Sequence, residues 1–177
     1  DGVFSKLQRL GLRLELLAQH YPNVREAMPG WWGTGAVRES GLLEAMTAFC
    51  VGKQSFRELE EGGFASYCLF DLPQAIQQLL AKEAPEYLVL KGRSKVIHYE
   101  VGQPPWIESR MQDFFGMQSG PKIVGGRVAL TLHLLAPNMR AVQVTQDLAG
   151  FWTRHWPEIR KELSRRYPKH AWPEKPF

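Results

Sequence analysis

Cysteine is scarce in this 177-residue chain: Cys50 and Cys68 are the only two. Two thiols cannot build the disulfide framework of a small secreted domain, so a reducing, cytoplasmic setting is the default reading. Long hydrophobic runs are missing as well. A membrane helix needs about 20 uninterrupted apolar residues, whereas the longest candidate here, Val128–Leu135, has the length of a strand. No membrane contact is expected. The five histidines (20, 98, 133, 155 and 170) are scattered, and the two cysteines stand eighteen apart with no second pair. A tetrahedral zinc site draws four ligands, usually in close pairs, so buried thiols and surface histidines are the better reading and no metal is expected. Neither G-x-x-x-x-G-K-S/T nor G-x-G-x-x-G occurs, nor a G-x-S-x-G elbow or an H-E-x-x-H helix. This stretch alone is therefore not expected to hydrolyse ATP, to bind a dinucleotide or to carry a catalytic residue. It starts Asp1-Gly2-Val3 without a Met or a basic-then-apolar leader, and we read it as a piece of a longer protein.

What is present suits a folded chain. Hydrophobic residues make up 44% and the formal net charge is +4, ordinary values that exclude global disorder. The charge is unevenly placed. Residues 1–119 carry 12 basic and 14 acidic side chains, residues 120–177 carry 10 and 4. A basic last third suggests an anionic partner there, nucleic acid among the candidates.

Val3, Leu7, Leu10, Leu14 and Leu17 recur at steps of three and four, which predicts a helix over 3–20 closed by Pro22. Residues 29–36, with Trp31 and Trp32 adjacent, read as a connector whose rings pin a loop over the core. A helix starting at an N-cap Ser40 would turn Leu42, Leu43, Met46, Phe49 and Cys50 inward, with Gly52 as its stop. Ser55 and Glu58 form a capping box for a short helix broken at Gly62-Gly63. Asp71 is expected to cap another, with Pro73 in its first turn and Ile76, Leu79 and Leu80 buried. After Pro85 the pattern changes. Tyr87–Lys91 and Lys95–Val101 read as a hairpin about Gly92-Arg93-Ser94, and Pro104-Pro105 as the opening of a helix that buries Ile107, Met111, Phe114 and Phe115. Val128–Leu135 alternates as a strand, Pro137-Asn138 turns it, and Ala141–Thr145 returns beside it. Two helices follow, over Asp147–His155 and from Pro157 to Tyr167. The proline-rich tail from Lys169 is expected to lie extended or to fray. The expected class is α+β: a helical subdomain over 1–83, then a small, mostly antiparallel sheet flanked by three helices over 84–177.

The densest chemistry lies near the end. Arg154, Arg160, Lys161, Arg165, Arg166 and Lys169 fall within sixteen residues, interleaved with Trp152, Trp156, Tyr167 and Trp172. Cations neutralise phosphates and aromatic rings stack on unpaired bases, so these six cations with Trp156 and Trp172 are the candidate nucleic-acid contacts. The competing reading is a solvated helix face, with Glu162 pairing Arg165 or Arg166 and the tryptophans in the core. His133, close in sequence to Asp147, invites a catalytic reading, but alternation puts it on the face opposite the leucines, where a histidine is unremarkable. A protein-docking module without nucleic-acid contact is the alternative function, using Trp31-Trp32 or the expected helix Trp106–Phe115.

Three blocks carry a family resemblance. They are Pro121-Lys-Ile-Val-Gly-Gly-Arg-Val-Ala-Leu-Thr-Leu-His-Leu-Leu-Ala-Pro137, Arg140-Ala-Val-Gln-Val-Thr-Gln-Asp-Leu-Ala-Gly-Phe-Trp152 and Ile159-Arg-Lys-Glu-Leu-Ser-Arg-Arg-Tyr-Pro-Lys-His-Ala-Trp-Pro-Glu174. In that order, and preceded by the Arg110-Met-Gln-Asp-Phe-Phe-Gly116 stretch, they resemble the C-terminal region of the HrpB family of bacterial DEAH-box, ATP-dependent RNA helicases. The match is good over residues 85–177, and residues 1–82 are compatible with the family's helical lead-in. The resemblance implies that ATP, with Mg, binds in two RecA-like helicase domains upstream, which would be this region's partners within the same chain. It implies an accessory role here: assisting the binding of RNA or another single-stranded nucleic acid, or regulating the helicase core.

Overall fold

A computed structural model of the chain describes residues 3–32 and 35–177, which fall into two units, Asp1–Ala84 and Pro85–Phe177. The first unit is helical: α1 (Val3–His20), α2 (Pro22–Glu26), α3 (Gly35–Cys50), α4 (Phe56–Gly62), α5 (Phe64–Asp71) and α6 (Gln74–Glu83). Leu7, Leu10, Leu14 and Leu17 of the α1 stripe are buried as their spacing requires, the last two fully covered. Pro22 follows the end of α1 and occupies the first turn of α2, where its missing N–H costs nothing. The buried guanidinium of Arg13 donates to the Ala84 carbonyl at 2.7 Å and ties α1 to the end of α6. Trp31 lies in a 3-10 turn, Gly30–Trp32, and is buried; its indole N–H donates to Asp71 at 3.2 Å, and that of Trp32 to the Gly11 carbonyl at 3.3 Å. Both rings pin this turn to the helices. Residues 33 and 34 of the expected connector lie outside the described residues.

Three expectations for this unit are corrected. Ser40 is not an N-cap, because α3 starts five residues earlier. On α3, Phe49 is buried and Leu42 partly so, but Leu43, Met46 and Cys50 face water. Asp71 ends α5 instead of capping α6, which starts after Pro73. The capping box is real, with one variation. Ser55 Oγ accepts from the Glu58 amide at 3.3 Å, while the Glu58 carboxylate reaches back to the amide of Gln54 at 3.0 Å.

The second unit opens with the antiparallel hairpin of β1 (Tyr87–Leu90) and β2 (Arg93–Val96). The turn is Lys91-Gly92, not Gly92-Arg93-Ser94. Both turn residues have positive φ, 50° and 75°, as a two-residue hairpin that follows the strand twist demands. Next come β3 (Trp106–Arg110), β4 (Lys122–Ile123), β5 (Val128–Ala129), β6 (Thr131–Leu135), β7 (Ala141–Thr145), α7 (Leu148–Arg154) and α8 (Trp156–Arg166). Strands β3, β6 and β7 form one sheet in that order, β6 antiparallel to β7 and parallel to β3; β4 and β5 make a separate antiparallel pair. The class is α+β and mostly antiparallel, flanked by two α-helices in place of three. The expected helix after Pro105 is β3 followed by a 3-10 turn at Met111–Phe114. The run Val128–Leu135 is likewise split at Leu130, whose amide turns aside to the Pro121 carbonyl at 3.1 Å. Leu130, Leu132 and Leu134 nevertheless share the buried face, as their alternation predicts.

The tail does not fray. Trp172 and Pro176 are buried. Trp156 Nε1 donates to the Pro173 carbonyl at 3.0 Å, Trp172 Nε1 to Tyr167 at 2.9 Å, and the Gly116 amide to Pro176 at 2.5 Å. Prolines lack a donor but keep a carbonyl, and here those carbonyls take side-chain and backbone N–H groups that would otherwise be orphaned.

Candidate nucleic-acid interface

Helix α8 is short and strongly two-sided. Trp156 and Leu163 face the core; Lys161, Arg165 and Arg166 face water. Arg165 and Arg166 occupy the last turn, where the exposed carbonyls of a helix end favour cations. Lys169 is exposed just beyond the cap residue Tyr167. The Arg166 guanidinium rests 5.6 Å from the centre of the Tyr167 ring, and Arg165 Nε reaches the Lys161 carbonyl only at 3.4 Å. Among the described residues none of these four cations is paired with a carboxylate. Glu162 forms no ion pair with Arg165 or Arg166. It and Glu158 share the exposed face, so the positive field is concentrated at the C-terminal end of the helix.

The other two candidate cations are engaged. Arg154 holds Asp147 at 2.8 Å. Arg160 donates to the Trp172 carbonyl at 2.8 Å and lies 3.4 Å from Glu174, fastening the tail to α8. The two candidate stacking residues are corrected to core. Trp156 is 1% exposed and Trp172 8%, and a ring sealed in protein offers no face to a base. Trp156 instead makes edge contacts with Trp152 and Phe115, ring centres 5.5 and 5.4 Å apart.

Asp147 explains how α7 begins. Its carboxylate accepts from the Gly150 amide and from Arg154, each at 2.8 Å. The amide first, then the guanidinium, hold the carboxyl below its ordinary value. A folded-state value below the unfolded one contributes stability that is complete above the unfolded value and is lost as pH falls through the folded one. Asp147→Asn keeps a capping oxygen but removes the charge. In urea titrations at falling pH its stability deficit is expected to shrink below about pH 4; a deficit constant down to strong acid would count against the charge.

A stack of three rings went unread in the sequence. His98 and Trp106 lie 3.8 Å apart at 11°, and Trp106 and His133 4.3 Å apart at 13°. His98 bridges antiparallel to Trp106 at the free edge of β3, and His133 is a diagonal neighbour of Trp106 across the parallel β3–β6 pair. The place of His133 opposite the leucines is legible. Trp106 is not, because Pro104-Pro105 and the spacing of Ile107, Met111 and Phe114 suit a helix while the chain here is a strand. His133 therefore stacks on Trp106, while the Asp147 carboxylate caps α7 and holds Arg154. Among the described residues no group of three or more His, Cys, Asp or Glu could hold a metal ion, and no helix is long and apolar enough to cross a membrane.

The family model described as ATP-dependent helicase C-terminal matches residues 46–176, and the chain belongs to that family of helicase C-terminal regions. Within it, the chain is 34% identical over 177 residues to the ATP-dependent RNA helicase HrpB of Escherichia coli (strain K12), covering 97% of this chain and 21% of that protein. The crystal structure of the E. coli DExH-box NTPase HrpB superposes with a TM-score of 0.80 at 34% identity, over 97% of this chain and 21% of that one. A crystal structure of the Escherichia coli DEAH/RHA helicase HrpB gives 0.71 at 32% identity, over 94% and 21%. The chain thus spans about a fifth of the length of these relatives.

Proposed function

We propose that this chain is the accessory C-terminal region of an ATP-dependent RNA helicase and assists it by gripping RNA through Lys161, Arg165, Arg166 and Lys169. The observation that carries the reading is the cationic end of α8, four basic groups in water with no carboxylate partner among the described residues. A surface cation with no carboxylate partner breaks no ion pair when it meets a phosphate, and the contact releases counterions condensed on the nucleic acid, which makes such a cluster the natural grip on its backbone. ATP and Mg belong, on this reading, to helicase domains of the longer chain. Without stacking tryptophans the contact is electrostatic and indifferent to base sequence.

Titration of the 177-residue chain with single-stranded RNA at two salt concentrations tests this directly. Affinity is expected to fall steeply with salt. Lys161→Gln/Arg165→Gln is expected to flatten the slope of log K against log salt by about 1.4, two contacts at about 0.7 each for a single strand. Arg154→Gln, which removes a cation already held by Asp147, leaves the slope near its starting value. A double variant that binds as tightly as the original at both salt concentrations would sink the proposal.

A further inference from the structure

Helix α3 is apolar on two sides. One side meets the helical core through Ala45 and Phe49, with Leu42 partly buried beside them. The other carries Leu43, Met46 and Cys50, three and seven residues apart, which on a helix form a single line. Leu43 is 67% and Met46 42% exposed. The line runs into a shallow pocket of about 210 Å³ lined by Cys50, Lys53, Gln54, Ser55, Phe56 and Leu59. Phe56, in the first turn of α4, is 87% exposed. A helix with two apolar sides is built to lie between neighbours, and among the described residues nothing covers the second side.

The surroundings say what kind of surface fits. Glu39, Glu44 and Glu58 are exposed on α3 and α4. Among the described side chains the cations close by are engaged. Lys53 sits 4.0 Å over the Phe49 ring and donates to the Phe49 carbonyl, while Arg57 pairs with Glu61 at 2.8 Å. The ridge therefore has a negative rim, which attracts a basic-edged partner and disfavours a second copy of the same acidic-rimmed face. The helicases this chain resembles are about five times as long, so most of such a chain is available to supply that partner.

We propose that the Leu43–Met46–Cys50–Phe56 ridge is the seat for a part of the longer helicase chain outside these 177 residues, an apolar surface edged with lysine or arginine. This rests on membership of the helicase chain and not on RNA binding. The two therefore fail separately, since the test contains no RNA.

Cys50 is a reporter inside the ridge, and Cys68 is the internal reference: it is fully buried, with burial pushing its thiol up to about 11. Iodoacetamide labelling near neutral pH, read peptide by peptide, compares the 177-residue chain with the full-length protein. Cys50 is expected to react freely in the first and to be slowed by about tenfold or more in the second, as when the cover is open less than about a tenth of the time. Leu43→Glu/Met46→Glu, both at water-facing positions, restores fast labelling in the full-length protein while Cys68 stays protected. Equal Cys50 rates in both forms overturn the proposal. So does protection in the 177-residue chain that grows with its concentration, which identifies a second copy as the occupant.

Discussion

Replacing Trp156 by alanine is expected to remove about 3–5 kcal/mol from the unfolding free energy of the Pro85–Phe177 unit, a large share of the roughly 5–15 kcal/mol such a domain has. The side chain is 1% exposed and touches Phe115, Trp152 and Trp172 at ring-centre distances of 5.4, 5.5 and 6.1 Å. Its loss opens a cavity where helix, 3-10 turn and tail converge. It also strips the Pro173 carbonyl of its donor. Trp156→Phe separates the two effects. It keeps much of the ring contact but leaves that carbonyl unpaired, for about 1–3 kcal/mol. Urea unfolding measures both losses, and trypsin cleavage after Lys169 reports release of the tail. If alanine costs less than phenylalanine is expected to, the tail collapses into the gap and the tryptophan is not what holds it. Because Arg160 is bound to the tail at Trp172 and Glu174, release of the tail also hands the cationic cluster a fifth free cation. RNA affinity and stability should then move in opposite directions in whatever fraction remains folded.

How far the sequence reveals this fold depends on how local each cause is. Helix α8 is legible because Pro157, Leu163 and the cations that follow lie within one stretch, and β6–β7 because the alternation and the Pro137-Asn138 turn are contiguous. Strand β3 is not. Ile107 and Met111 fit a helical step of four as well as an alternating strand, and what decides between them is a parallel partner, Ile107 beside Leu132, far along the chain. Helix α5 is hidden by Gly62-Gly63, which reads as a loop. In the structure Gly63, with φ 62°, closes α4 and opens α5 with no residues between. The inward set expected for α3 fails for a different reason: its apolar residues run round two sides, so periodicity alone cannot say which side meets the core. At the candidate interface, composition finds the six cations but not which are engaged. Arg154 is taken by a carboxylate seven residues back and Arg160 by a carbonyl twelve residues on, pairings that depend on how α7 and the tail fold.

Two glycine-to-alanine changes, both within helices, are expected to have opposite signs. Alanine normally gains about 0.5–1 kcal/mol over glycine inside a helix, because it has less backbone freedom to lose. Gly11 on α1 has nothing within 4 Å of where a Cβ would stand, and Gly11→Ala should show that gain. Gly41 on α3 lies against the 3-10 turn. A Cβ there would strike the Gly30 carbonyl carbon and stand 2.5 Å from the Trp31 amide nitrogen and 2.6 Å from the Gly30 oxygen. All three are backbone atoms, so no rotamer change relieves the clash. The turn itself must move, carrying Trp31 from Asp71 and Trp32 from the Gly11 carbonyl. Gly41→Ala should therefore cost about 1–3 kcal/mol in spite of its helix propensity. Urea unfolding of the two variants side by side makes the comparison independent of the exact propensity scale. A stabilising Gly41→Ala would mean that α3 and the turn do not touch, and the tryptophan pair would need another explanation.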